Sequence, residues 1–300
     1  MASTSTTLPT ADAPQRDHVA SVAVDYDRRE RLFSRVCLGV LIAFALVWLV
    51  PLLWALDTAL KPNAETTKVP TTWLIDNPTL ESFRSVIANG DILNWYAASF
   101  ITSTAVAAAT VHTGSMAAYA LSRLRFRGKQ LVFWFVLAGI MIPQQVLIVP
   151  LFRQFDSFGL LNTYWAVILP QVPTAIAVFI FKQFFDGLPR DLEEAAYLDG
   201  AGYWRVYRTI VMPLARPAVA AVAIFSFVWS WNNLLWPLLV LTNPDLMTIP
   251  VGLASEQGTY GIRYADIMAT SLLGALPLMI VFLLFQRRIV EGIAGTGLKG

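Results

Sequence analysis

Six stretches of about twenty mostly apolar residues, separated by short polar segments, constrain this chain more than any other feature. They lie at about 36–56, 95–121, 131–150, 164–185, 213–241 and 267–285. Each is long enough to carry a helix through the roughly 30 Å hydrocarbon layer of a bilayer. Composition points the same way: 56% of the 300 residues are hydrophobic and 14% are charged, against about 25% charged in ordinary soluble domains. A water-soluble fold cannot hide that much apolar surface. The connections hold no alternating strand pattern, which argues against a β-barrel. The chain is therefore read as an all-α, polytopic membrane protein with six transmembrane helices, and its solvent is the lipid bilayer.

Basic residues set the orientation. With the N-terminus in the cytosol, 17 of the 22 Lys and Arg fall inside, and only Lys61, Lys68, Arg84, Arg153 and Arg263 fall outside. Reversing the chain inverts that ratio. Both termini and the polar segment between the fourth and fifth stretches are expected on the cytosolic side of a multi-pass plasma or inner-membrane protein. The turn Ser122–Lys129, with three arginines and a lysine, reads as a plain topology signal.

Residues 1–30 are rich in Ser, Thr, Ala and Asp without apolar periodicity, and read as a disordered cytosolic tail. They are too long and too acidic for the n-region of a cleaved signal peptide. The net charge of +2 implies no nucleic-acid partner, because the cations cluster at membrane boundaries. A single cysteine, Cys37, excludes an intramolecular disulfide and a Cys-rich metal site. No metal site is expected. Internal repeats are not evident, so 31–300 reads as one membrane domain.

Several spans carry polar residues. In the second, Ser99, Thr102, Ser103, Thr104, Thr110, Thr113 and Ser115 sit among alanines, the pattern of close helix packing. His112 reads as a satisfied interior histidine. Pro143, Pro150, Pro170 and Pro173 predict kinks whose freed carbonyls must face protein or water. The fifth span holds Trp229, Trp231, Asn232, Asn233 and Trp236. Unpaired amides facing lipid lose several kcal/mol of hydration, so these asparagines are expected to face the bundle interior or a water-filled cavity. Aromatic rings beside amides also suit a sugar, the rings covering its apolar faces and the amides bonding its hydroxyls. An interfacial aromatic belt with interhelical hydrogen bonds is the plainer reading. The first outside loop, 57–94, is expected to carry a short amphipathic helix through Leu80–Ile87.

The polar segment before the fifth stretch reads as two short helices. Asp191, Glu193 and Glu194 follow Pro189, where negative charge suits a helix start. Gly200 can take the left-handed cap conformation. Ala195 and Ala196 give a small face that another protein can approach closely. A second helix from about Tyr203 places Trp204, Tyr207 and Val211 on one side, and Pro213 ends it and opens the fifth span. On residue types alone this is a surface hairpin.

The spacing adds more. Glu194, Ala195, Ala196, Gly200, Ile210 and Pro213 form the pattern EAA, three residues, G, nine residues, I-x-L-P, with Met212 in place of the usual leucine. This resembles the coupling loop of ABC-importer permeases. The segments Trp231–Leu238, Thr248–Leu253 and Gln286–Gly300 are similar to the MalG-like carbohydrate subgroup, so the resemblance covers about residues 35–300. It implies an ABC importer transmembrane domain with six helices and a cytosolic coupling helix between helices 4 and 5. It implies that Glu194, Ala195, Ala196, Asp199, Gly200, Ile210 and Pro213 couple to an ABC ATPase dimer. It further implies that Trp229, Trp231, Asn232, Asn233 and Trp236 border the substrate pathway. A sister permease would complete the pathway, and an extracytoplasmic solute-binding protein would deliver a sugar to loops 57–94 and 242–266. The Gly295–Gly300 tail would reach toward the ATPase interface.

No GxxxxGK[ST] phosphate loop occurs, so this chain is not expected to hydrolyse ATP, and ATP and Mg belong on the partner ATPase. No catalytic constellation is evident; the chain reads as a transport subunit and not an enzyme. A polyol or glycerol-phosphate-type solute is the alternative cargo. An ion-coupled secondary transporter is disfavoured, because Asp57, Asp186 and Asp266 lie at or beyond the span ends and the interiors hold no carboxylate.

Overall fold

Proline sets where several helices of this chain break, and the computed structural model shows those breaks directly, although Pro51 and Pro277 lie within continuous helices. It describes residues 13–69, 72–88, 91–256 and 263–294. The chain divides into two compact units, residues 1–56 and 57–300. The first is helix α1 (Ala13–Ala59) up to Leu56. From Leu32 onward α1 is strongly apolar, and the most apolar part of that stretch buries none of its residues, as a lipid-facing helix requires. The helix starts inside the segment read from composition as a tail. Pro14 sits in its first turn, where a missing N–H costs nothing, and the following Ala, Arg and Glu residues favour helix. Residues 1–12 and the Gly295–Gly300 tail lie outside the described residues.

The second unit begins with α2 (Asn63–Thr66) and α3 (Glu81–Ala88), the latter where an amphipathic helix is expected. Helix α4 (Ile92–Arg123) is central. It is followed by α5 (Lys129–Ala138), α6 (Ile148–Ser157), α7 (Tyr164–Ile168) and α8 (Ala175–Asp186). Then come α9 (Asp191–Leu198), α10 (Tyr203–Val206), α11 (Met212–Leu214), α12 (Arg216–Trp231), α13 (Leu235–Val240), α14 (Ile249–Glu256) and α15 (Tyr264–Ala294). The other described residues form short 3-10 and π-helical turns and loops, with no strand among them. Helices α8 and α12 make the most extensive packing on α4.

Among the described residues, three helical segments are long and apolar enough to cross a bilayer: Leu32–Ala59, Ile92–Arg123 and Tyr264–Gln286. Three bent pairs pass the same test together: Lys129–Met141 with Gln144–Ser157 at 91°, Tyr164–Gln171 with Ala175–Asp186 at 47°, and Tyr203–Leu214 with Arg216–Trp231 at 79°. The first bend falls at Pro143, which holds Ile142 in extended backbone at ψ 114°. The second falls between Pro170 and Thr174. Pro150 causes no break, because it lies in the first turn of α6.

The freed carbonyls at the second bend are satisfied within the bundle. Pro170 cannot donate to the carbonyl of Ala166, four residues back. Trp236 Nε1 donates to that oxygen instead, at 2.8 Å. Thr110 Oγ1 in α4 donates to Val172 O at 3.2 Å.

The fifth apolar stretch departs from the expected single span over 213–241. Pro217 cannot donate to Pro213 O, and its ring would clash there, so the helix breaks at Ala215 rather than at Pro213. Pro237 does the same to the carbonyl of Asn233, ending α12 at Trp231 and starting α13 at Leu235. Close packing elsewhere follows the small residues: a Cβ on Gly252 would lie 2.2 Å from the ring of Trp95, and one on Gly114 would lie 3.1 Å from Ala177 Cβ.

Candidate functional sites at the polar elbow and the central cleft

Residues 187–215 form an elbow between α8 and α12. Its first helix, α9, is closed by Gly200 at φ +83°. Ala201 N donates to Ala196 O at 2.9 Å, and Gly200 N to Tyr197 O at 3.0 Å. This is the paired 6→1 and 5→2 bonding of a left-handed helix stop, which a residue with a Cβ adopts only under strain. The second limb, α10, passes through a π-helical turn at Tyr207–Val211 into α11.

The elbow is locked to the C-terminal end of α4. Glu193 is buried, and its Oε1 lies 2.6 Å from Nε of the equally buried Arg123. The same guanidinium donates from Nη2 to Leu188 O at 3.0 Å. One turn back, Tyr119 Oη sits 3.2 Å from Tyr197 Oη and donates to Tyr203 O at 3.3 Å. Tyr207 Oη lies 2.8 Å from Ser115 Oγ. Below these bonds Val206, Tyr207 and Val211 share an apolar core with Phe181, Phe185 and Val222. Beside them Ser122 Oγ donates to Asp186 Oδ1 at 2.5 Å, and Lys182 pairs with Asp186 Oδ2 at 2.5 Å. The two limbs are thus packed on and bonded to α4, and share an apolar core with α8 and α12.

The opposite face is free. Glu194, Ala195, Asp199, Gly200 and Pro213 are exposed, together with Leu192, Tyr203, Trp204 and Leu198, the last 89% accessible. Ala196 and Ile210 turn the other way and pack half-buried on the core. The alanine pair therefore splits between faces. Of the three residues expected on one side of the second helix, Tyr207 and Val211 are buried, while Trp204 is exposed and stacks on Tyr207 from outside, 5.3 Å between centroids.

The second site is an open-sided cleft of about 530 Å³, open solvent included, bordered by α4, the bends of the third and fourth apolar stretches, and α12. Its polar lining is Gln144, Gln171, Thr174 and Ser226, and Phe225 and Trp229 form one wall, their rings stacked 6.0 Å apart. Of the five residues expected along a pathway, Trp229 lines this cleft and is 55% exposed. Asn233 touches it indirectly: its Nδ2 donates to Gln171 Oε1 at 3.1 Å, while Gln171 Nε2 donates to Val167 O at 2.8 Å. Asn232 is exposed at the end of α12 and bonds back to Val228 O at 2.9 Å.

Trp231 and Trp236 sit elsewhere. Trp231, 3% exposed, packs with Ile92, Trp95 and Ile249. Trp236, 7% exposed, packs edge-on against Phe155 and serves the Pro170 bend. His112 is exposed on α4 rather than interior. Sequence reasoning missed Gln144 and Gln171, although a carboxamide next to Pro143 and Pro170 in an apolar stretch is a visible signal. It also missed Glu193, Arg123 and Tyr119. Arg123 looked like one topology cation among several, and nothing in sequence separates Glu193 from its neighbour Glu194. Among the described residues no group of His, Cys, Asp and Glu could hold a metal ion.

Comparison with known proteins adds the family. Residues 110–293 match the family model described as binding-protein-dependent transport system inner membrane component. The chain belongs to that family. Its members are transport permease subunits, and this chain is accordingly a multi-pass membrane protein. Among its relatives are the arabinooligosaccharides transport system permease protein AraQ of Halalkalibacterium halodurans, 37% identical over 86% of this chain and 93% of that one. The trehalose/maltose transport system permease protein MalG of Thermococcus litoralis is 34% identical over 91% and 99%. The sn-glycerol-3-phosphate transport system permease protein UgpE of Salmonella typhi is 33% identical over 83% and 92%. The fold matches a crystal structure of a bacterial ABC transporter involved in the import of the acidic polysaccharide alginate, with TM-score 0.77 at 20% identity, covering 87% of this chain and 97% of that one.

Proposed function

We propose that this chain is the permease subunit of an ATP-driven ABC importer for a sugar, crossing the membrane six times with both termini in the cytosol. The six spans are α1, α4, α15 and the three bent pairs. The observation that carries the reading is the elbow: one face bolted to α4, α8 and α12, the other exposed with an apolar and acidic surface. Isolated surface helices need no such internal fixing. A surface with Leu192, Ala195, Leu198, Tyr203 and Trp204 exposed together is suited to burial against another protein.

In this reading Glu194, Ala195, Asp199, Gly200 and Pro213 meet an ATPase dimer that holds ATP and Mg. Ala196 and Ile210 back that surface from the core side. Closure of the dimer pushes the elbow; the Glu193–Arg123 pair and the tyrosine bonds carry the displacement into α4, and α11 passes it along the chain into α12. Those two helices border the cleft. A sister permease closes its open side, and an extracytoplasmic binding protein delivers the solute. Trp229, Asn232 and the Asn233-braced Gln171 line the pathway, while Trp231 and Trp236 hold its wall.

Coexpression with the ATPase and sister permease tests this. The expected result is a complex that copurifies and loses its ATPase when Glu194→Lys is introduced. A complex indifferent to that substitution contradicts the coupling assignment. The UgpE relationship keeps a glycerol-phosphate-type solute as the second reading of the cargo.

A further inference from the structure

The importer reading leaves the charge of the cargo open, since one relative is named for an arabinooligosaccharide and another for a glycerol phosphate. We infer that the central cleft is built for an uncharged saccharide, and that Gln171, held by Asn233, is the residue that sets this preference; the inference rests on the sugar-importer reading above. Every side chain lining the cleft is neutral. Its donors and acceptors are two carboxamides and two hydroxyls, Gln144, Gln171, Thr174 and Ser226, opposite the stacked rings of Phe225 and Trp229. A saccharide ring has this same division, with apolar C–H faces for the aromatic wall and hydroxyls around its rim for amides.

A phosphate, sulfonate or carboxylate would enter this space without a cation. An ion moved out of water into low dielectric is strongly penalised unless it is paired, and Lys or Arg would be needed here to pair it. The start of α8, just after Thr174, contributes at most about half a unit of positive charge, well short of a guanidinium. The carboxamide of Gln171 is also fixed in direction. Its oxygen accepts from Asn233 and its nitrogen donates to Val167 O. Each of its two polar atoms keeps one further bonding site, so a bound solute meets an oriented donor and acceptor that cost little further ordering. Asn233 thereby acts as a positioning residue, and the break of α12 before Pro237 is what places it beside the fourth apolar stretch.

The test uses the complete importer, with its ATPase, sister permease and binding protein, in proteoliposomes. Uptake is measured for neutral di- to tetrasaccharides and for uronate or phosphorylated counterparts of equal size. The inference predicts neutral uptake at least about tenfold faster. It also predicts that Gln171→Leu and Trp229→Ala lower uptake by about five- to tenfold, whereas Trp229→Phe retains most of it. Asn233→Ala should raise KM more than it changes the maximal rate. Equal or faster uptake of the anionic compounds overturns the inference, and so does neutral uptake unaffected by Gln171→Leu and Trp229→Ala. An assembled complex that hydrolyses ATP but carries no saccharide of either kind removes the sugar-importer reading itself, a different failure from the first two, and the inference falls with it.

Discussion

Arg123 and Glu193 form a buried pair of opposite charges, and the cost of breaking it exceeds what it contributes intact. Glu193→Ala leaves a buried, uncompensated guanidinium and should destabilise the elbow by about 3–5 kcal/mol. The double reversal Arg123→Glu with Glu193→Arg should recover part of that loss in a thermal melt of the detergent-purified protein. No recovery would show that the pair is not the fastening. Gly252 is a second residue-scale case. The Trp95 ring occupies the space a Cβ would need, both groups being backbone or ring atoms that cannot swing aside. Gly252→Ala should cost about 1–3 kcal/mol by overpacking, read as a lower melting temperature. Gly274→Ala, facing the more yielding Ile249 Cγ2 at 2.8 Å, should cost less. Such contacts are illegible in sequence, because Trp95 and Gly252 are joined only by the fold. Gly200 was legible: a glycine at the end of an acidic, alanine-containing helix has one common use.

At the scale of elements, proline explains both what sequence predicts well and where it misses. Pro143 and Pro170 mark bends that the structure contains. Pro217 and Pro237 break the fifth apolar stretch into an elbow limb, a helix and a short final helix, where hydropathy alone joins them into one span. Hydropathy averages over a missing N–H; backbone bonding does not. The Pro170 bend also gives Trp236 a task that its chemistry suggests only after the fold is known. Trp236→Phe keeps the ring against Phe155 and removes the donor to Ala166 O, leaving a buried carbonyl unpaired at a cost of about 1–3 kcal/mol. Pro170→Ala restores an N–H four residues after Ala166. The penalty for Trp236→Phe should therefore shrink by more than half in the Pro170→Ala background, measured as a double-mutant cycle of melting stability. An unchanged penalty would mean the indole serves packing alone.

For the whole molecule, the two sites share three helices. The elbow packs on α4, α8 and α12, and the same helices wall the cleft some turns away. A rigid knob at one end and a neutral, amide-lined space at mid-helix are the parts an importer subunit needs for its drive and its cargo. Hydropathy made the membrane class readable. The elbow was readable because its glycine, prolines and acidic turn act locally. The cleft was not, since Gln144, Gln171 and Ser226 come from separate apolar stretches and meet only after two bends. The central claim is that ATP bound to a partner drives solute through this chain by way of the elbow. Uptake of labelled saccharide into proteoliposomes holding the complete complex, with ionophores collapsing every ion gradient, tests it most directly. The account predicts uptake that needs ATP, persists without gradients and falls at least about tenfold with Glu194→Lys. Uptake that stops with the gradients while ATP is held constant, or that ignores Glu194→Lys, would contradict it.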